Sequence, residues 1–197
     1  MTKFIGKYTL SHPTICDDII DYFKNNSSKS YAGAIYKDGE SMVKKDIKDS
    51  TDIAISVGEN TLVDAYVNEA QVCLDKYKKD YKYADEEQSS YDIVENISIQ
   101  YYTPGQAFHK WHCERSCSET SKRHLVFMTY LNDVTDKGGT EFYYHNICIA
   151  PKKGLTLIWP TGWTFTHRGI PSPTQEKYII TGWYSYINTN EGALNEF

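Results

Sequence analysis

Hydrophobic residues recur along this chain with two periods, one helical and one strand-like. In Pro13-Thr-Ile-Cys-Asp-Asp-Ile-Ile-Asp-Tyr-Phe23, Ile15, Ile19 and Phe23 fall four apart, which predicts a helix with Pro13 suited to its first turn. The polar run Asn25-Asn-Ser-Ser-Lys-Ser30 then reads as a loop. Thr51, Ile53, Ile55 and Val57 alternate with Asp52, Ala54 and Ser56, the period of a half-buried strand that Gly58 ends. A second helix is predicted from Thr61 to Tyr81, with Leu62, Ala65, Tyr66, Ala70, Cys73 and Tyr77 on one side. Lys76, Lys78 and Lys79 crowd its end, where cations meet the negative pole of the helix dipole. The stretch Asp80 to Ser90 is charged, rich in tyrosine and without a period, and is expected to be a loop or a lid.

From Ile97 onward the pattern changes to short strands separated by turn residues, which suits a sandwich or barrel with the helices outside one sheet. Gly138-Gly139 reads first as a turn requirement. The longest alternation is Lys177-Tyr-Ile-Ile-Thr-Gly-Trp-Tyr-Ser-Tyr186, in which Lys177, Ile179, Thr181 and Trp183 share one face and Tyr178, Ile180 and Tyr184 the other. Lys177 is thus a cation on a strand otherwise built for burial. An unpaired buried ammonium is costly, so this lysine calls for an anion, which a ligand carboxylate would supply.

Candidate chemistry centres on His112-x-Glu114 with His167 much later. Side chains two apart on an extended segment point the same way, so His112 and Glu114 can reach one ion together. Two histidines and a carboxylate form the facial triad of non-haem Fe(II) oxygenases and leave coordination positions open. His109 is a weaker partner, because Trp111 two residues on cannot ligate. Cys113, between the two candidate ligands, is expected on the opposite face as a core residue.

With these motifs in order, residues from about Asn96 to Ile187 resemble the 2-oxoglutarate- and Fe(II)-dependent dioxygenases of the prolyl 4-hydroxylase type. The resemblance rests on Tyr102-x-Pro-Gly-x-x-Phe108, His112-x-Glu114, Tyr130-Leu-Asn132, Gly138-Gly-Thr-Glu-Phe142, Pro151-x-x-Gly154, His167, and Lys177 with Trp183 six residues later. It implies a mostly β fold with flanking helices: a double-stranded β-helix, or jelly-roll, with the N-terminal helices on one sheet. It implies Fe(II) bound by His112, Glu114 and His167, and 2-oxoglutarate anchored by Lys177. Tyr102, Tyr130 and Trp183 match positions beside the cosubstrate, and ascorbate would rescue oxidised iron. Two departures stand out. The usual carboxylate is aspartate, one methylene shorter than Glu114, and the usual Glu-Thr order is reversed at Thr140-Glu141, so the resemblance assigns Thr140 no role.

The activity implied is hydroxylation of a prolyl residue in a peptide or protein, with a free amino acid or other small molecule as the alternative substrate. A jelly-roll metalloenzyme without 2-oxoglutarate and a non-catalytic binding module are rival classes; Lys177 argues against the first and the complete ligand set against the second. Arg168 either recognises a substrate carboxylate or carbonyl, or pairs with a surface acid. The region before Ile97, especially Tyr81 to Tyr91, is the candidate for closing over the substrate.

Composition fits this reading. At 197 residues the chain is within the range of one domain, read as a supporting part over 1–95 and an oxygenase core over 96–189. A net charge of −5 offers no electrostatic footprint for nucleic acid. The five cysteines, of which only Cys113 and Cys117 lie close together, suggest neither a disulfide framework nor a zinc module. No secretory leader is visible, and no run approaches the ~18 apolar residues of a membrane helix, so a cytoplasmic protein without membrane partners is expected.

Overall fold

The computed structural model describes residues 3–37 and 40–188, with backbone only at 36 and 37. In chain order the elements are β1 (Gly6–Thr9), α1 (Ile15–Asn25), β2 (Tyr31–Ala32), β3 (Ile35–Lys37), β4 (Glu40–Met42), β5 (Thr51–Ile55) and α2 (Thr61–Asp80). They continue with β6 (Tyr91–Asp92), β7 (Ile97–Tyr102), β8 (Arg123–Tyr130), β9 (Thr140–Phe142), β10 (Ile147–Ile149), β11 (Leu155–Pro160), β12 (His167–Gly169) and β13 (Lys177–Tyr186). Both helices form where the apolar spacing predicts them. Asn60 caps α2, its side-chain oxygen accepting from the backbone N–H groups of Leu62 and Val63. Within α2, however, Val63 is buried and Ala65 exposed, so the buried stripe runs through Val63, Tyr66, Ala70 and Tyr77.

An eight-stranded antiparallel sheet runs in the order β1-β11-β8-β13-β7-β5-β2, with β6 paired to β13. A three-stranded sheet, β10-β9-β12, faces it across the second half of the chain, and β3 and β4 form a separate hairpin. This is the expected jelly-roll, with Lys177–Tyr186 at the middle of its larger sheet.

The period-2 pattern separates two apolar cores. On one face of the large sheet, Ile53, Ile99, Leu125, Phe127, Ile158, Ile180 and Tyr184 pack with α1 and α2, placing both helices on a single sheet. On the other face, Val126, Met128, Tyr130, Leu157 and Trp159 meet Phe142 and Ile149 of the small sheet. Tyr66 of α2 is fully buried, its hydroxyl 2.8 Å from Thr129 Oγ1, which lies 2.7 Å from Thr156 Oγ1. No helix among the described residues is long and apolar enough to cross a membrane.

Asp80 to Ser90 is not a lid. It contains a short turn at Lys82–Ala84 and packs beside the large sheet, where the Ala84 carbonyl meets His124 Nε2 at 2.8 Å and Gln88 accepts from the Tyr186 hydroxyl. Tyr81 packs on Phe4 and Tyr77, and Tyr91, just past the segment, packs on His124 and donates to Asp85.

Candidate metal centre

The mouth between the two sheets opens into a cavity of about 620 Å³ lined by His112, Glu114, His167, Tyr102, Thr140, Ile179, Thr181 and Trp183, among others. The region before Ile97 contributes Ala34, Ile35, Ile47 and Lys48 to its wall, while no residue from 80 to 91 reaches it. Of the region before Ile97, it is thus residues 34–35 and 47–48, and not Tyr81 to Tyr91, that border the cavity.

His112 and His167 are direct backbone partners: each donates its N–H to the other's carbonyl, at 3.0 and 2.9 Å. Their rings follow one rule. His112 Nδ1 lies 2.9 Å from the Lys110 carbonyl and His167 Nδ1 lies 2.9 Å from the Phe165 carbonyl. A carbonyl only accepts, so the proton of each neutral imidazole sits on Nδ1 and leaves Nε2 with its lone pair free for a metal. Burial, then the neighbouring His167, holds His112 below the ordinary histidine range, which keeps it neutral.

Glu114 completes the group. Its segment is an extended stretch that bends after His112, not a regular strand, yet its Oε1 lies 3.5 Å from His112 Nε2 and 3.4 Å from His167 Nε2. The ligating atoms all lie within 4.8 Å of one another. Burial alone would raise the Glu114 carboxyl, but the adjoining His112 and His167 imidazoles outweigh it and hold the group well below the ordinary carboxylate range. Two imidazole nitrogens and one carboxylate oxygen converging on a half-buried point fit a divalent first-row metal with open positions. Glutamate's extra methylene does not displace the oxygen.

Lys177 is 5% exposed and projects from β13 beside Tyr102 of β7, its Nζ 4.8 Å from the Tyr102 ring centroid. It donates to the Gly138 carbonyl at 2.9 Å and, among the described residues, forms no ion pair. Burial alone pulls its ammonium down to about 8, the condition of a cation awaiting an anion. Gly138 holds φ +75°, and a Cβ on Gly139 would meet the Ile149 carbonyl at 2.6 Å. The paired glycines thus serve the turn that offers Lys177 its carbonyl.

The remaining candidates divide. Tyr102 lines the cavity and donates its hydroxyl to Gln100 at 2.7 Å. Tyr130 is 1% exposed, its hydroxyl engaged by Thr140 Oγ1 at 2.6 Å and the Ile149 carbonyl at 3.1 Å. Thr140 is the residue of that pair that faces the cavity, which sequence reasoning missed because the reversed Thr-Glu order hid it. Trp183 points at the carboxylate, its Nε1–H donating to Glu114 Oε2 at 3.0 Å. Arg168 pairs with Glu141 directly across the small sheet, at 2.8 Å, and stacks over Trp111. Cys113 is half-buried on the cavity wall and not in the core, because the bend at Glu114 breaks the alternation that would have turned it inward. Lys48 and Asp52 form a buried ion pair at 2.6 Å beside the cavity, unforeseen in sequence because neither residue belongs to a motif.

Residues 97–185 match the family described as the 2OG-Fe(II) oxygenase superfamily. Comparison with curated protein sequences finds no match. Similar solved structures include a viral collagen prolyl hydroxylase from Paramecium Bursaria Chlorella virus-1, with TM-score 0.67 and 20% identity over 94% of this chain and 97% of that one. A Pseudomonas putida prolyl-4-hydroxylase gives TM-score 0.69 and 14% identity, covering 93% of each chain. A Trichoplax adhaerens prolyl hydroxylase, solved with a hypoxia inducible factor peptide fragment, gives 0.70 and 16%, over 100% of this chain and 89% of that one. At these identities the structural likeness speaks for the fold, and the matched segment holds the three converging donors and the buried lysine. The segment 97–185 therefore belongs to the 2OG-Fe(II) oxygenase superfamily, in a chain whose fold is like that of the prolyl 4-hydroxylases.

Proposed function

We propose that this chain is an Fe(II)- and 2-oxoglutarate-dependent oxygenase that hydroxylates a prolyl residue in a peptide or protein. The observation that carries this reading is the pairing of a preformed His112-Glu114-His167 cluster with a buried lysine that lacks an acidic partner among the described residues. A metal hydrolase or isomerase has no use for that lysine. We also read the chain as one domain, with residues 1–95 supporting a catalytic core over 96–189.

His112, Glu114 and His167 would hold Fe(II), and Lys177 would pair with the distal carboxylate of 2-oxoglutarate beneath Tyr102. With both bound, iron and cosubstrate supply the oxidation that places one oxygen atom of O₂ on the substrate carbon and the other in succinate, with release of carbon dioxide. The chain's own contribution is positional. The Nδ1 hydrogen bonds fix both rings, Trp183 fixes the carboxylate, and Met128, Ile179 and Trp159 give the cavity an apolar floor that limits water. Tyr130 would support the cosubstrate pocket through Thr140, its own hydroxyl being engaged. Ascorbate would serve to restore oxidised iron.

A peptide is favoured over a free amino acid by the rim. Trp111, which lines the cavity, starts a chain of edge-to-face rings through the exposed Tyr143, Tyr144 and Trp163, with centroids 5.1, 5.1 and 5.7 Å apart. Such a surface suits an extended segment that continues past the reacting residue. The testing experiment is anaerobic Fe(II) titration with and without 2-oxoglutarate, following the visible charge-transfer band of the chelated complex. The band should form with wild type and fail with His167→Ala and Lys177→Ala. Iron binding without a band would leave Lys177 a structural residue and favour the other metalloenzymes. Turnover on free proline but not on prolyl peptides would replace the substrate assignment.

A further inference from the structure

Glu114 has one more rotatable bond than the aspartate usual at its position, so its carboxylate is free to turn both oxygens to a metal or to swing away from it. The structure holds it at both ends. Oε2 accepts from Trp183 Nε1 at 3.0 Å and lies 3.8 Å from Arg123 Nη1, and the same Nη1 donates to the Glu114 backbone carbonyl at 3.2 Å. The Arg123 guanidinium lies 3.6 Å from the Trp183 ring centroid and is gripped on its far side by Glu95, with Nε donating to Oε1 at 2.8 Å and Nη2 bonding Oε2. Only Oε1 is left facing the two histidine nitrogens.

The backbone is built to allow this. Along β8 and β13 the register runs Trp183 to Val126 and Tyr184 to Leu125, then shifts so that Ser185 faces Arg123 and His124 is passed over. In a regular strand Arg123 would share the helix-packed face of Leu125 and Phe127. The bulge turns it to the cavity face beside Trp183 and sends His124 to the helix side, where it packs on Tyr91 and Tyr186. Bulges re-aim side chains in this way at functional sites.

We infer that Glu95, Arg123 and Trp183 form a clamp that holds Glu114 as a one-oxygen metal ligand, and that this clamp is what lets a glutamate work at this position. Trp183 and Arg123 are then positioning residues acting through Glu114. The inference rests on the metal centre proposed above.

The experiment is Co(II) titration of metal-free full-length protein, reading both affinity and the visible ligand-field bands. It compares wild type, Trp183→Phe, Glu114→Asp and the double variant. Phenylalanine keeps a ring beneath Arg123 and removes the N–H. Trp183→Phe should weaken Co(II) by about 10- to 100-fold, the usual effect of losing a group that orients a ligand, and should alter the band pattern. In the Glu114→Asp background, where the shorter carboxylate does not span metal and indole, the same substitution should change affinity less than about threefold, a coupling of the kind double-mutant cycles isolate. Equal losses in both backgrounds, or no loss in either, would overturn the clamp. Should Trp183→Phe not fold, Arg123→Gln carries the same comparison. Failure of wild type to bind Co(II) would instead remove the metal centre itself, so the two failures are distinguishable.

Discussion

Replacing Lys177 by methionine should stabilise the ligand-free protein at neutral pH and destabilise it at alkaline pH. The folded protein holds the Lys177 ammonium at about 8 through burial, with no opposing acid among the described residues. An ordinary lysine sits at about 10.4, and each tenfold change in proton affinity corresponds to ~1.4 kcal/mol, so the charged form costs the folded state about 3 kcal/mol. Because the folded value is the lower one, this cost is fully present below pH 8 and fades as the pH rises toward that of the unfolded chain. Methionine removes the charge but leaves the Gly138 carbonyl without its donor, a loss of about 1–3 kcal/mol for a buried group. The balance at pH 7 is a gain of about 1 kcal/mol, or roughly 2–4 °C in Tm for a chain of this size. At pH 10 the relieved wild type should overtake the variant. Calorimetry on metal-free, ligand-free protein at the two pH values reads both signs. A variant less stable than wild type at pH 7 and pH 10 alike would show that Lys177 is not a strained cation, and the argument for an anion site would fall with it.

Three further perturbations test other parts of the structure. Tyr66→Phe removes a buried hydroxyl from the Thr129 and Thr156 chain and should cost about 1 kcal/mol by urea denaturation, with the site untouched, because α2 packs on the far face of the sheet. Asn60→Ala removes the α2 cap and should cost ~1 kcal/mol, whereas Asn60→Asp should cost little. Gly182→Ala would bring a Cβ to 2.5 Å from Phe127 Cζ, so overpacking of about 1–3 kcal/mol is expected; an unchanged midpoint would mean that the ring moves freely.

Periodicity made much of the architecture legible. Strict alternation over Lys177–Tyr186 specified which residues face the cavity, because a one-residue slip would bury Lys177 among the helices. The two helices were equally plain from their four-residue spacing. The candidate metal donors were legible because His112 and Glu114 sit at a spacing that an extended segment brings together, with His167 a third donor of the right type later in the chain. What was hidden depends on broken regularity or on distant pairing. The bend at Glu114 returned Cys113 to the cavity wall, and the bulge at His124 reversed the side on which Arg123 projects. Glu95 lies 28 residues from Arg123, and no local pattern announces their contact. The segment Asp80 to Ser90 suggested a cover, yet it is tied down beside the large sheet, its Ala84 carbonyl at His124 and its Gln88 at the Tyr186 hydroxyl.

The mutual backbone hydrogen bonds of His112 and His167 have a practical outcome. Both nitrogen donors are already in place through peptide groups that no ion touches, so loading the site asks for almost no folding, and emptying it releases almost none. Imidazole and carboxylate donors bind zinc and copper more tightly than ferrous iron. The ion found in a purified sample will therefore reflect the metal supply of its source, and activity measurements must begin by stripping the protein and reloading it with iron.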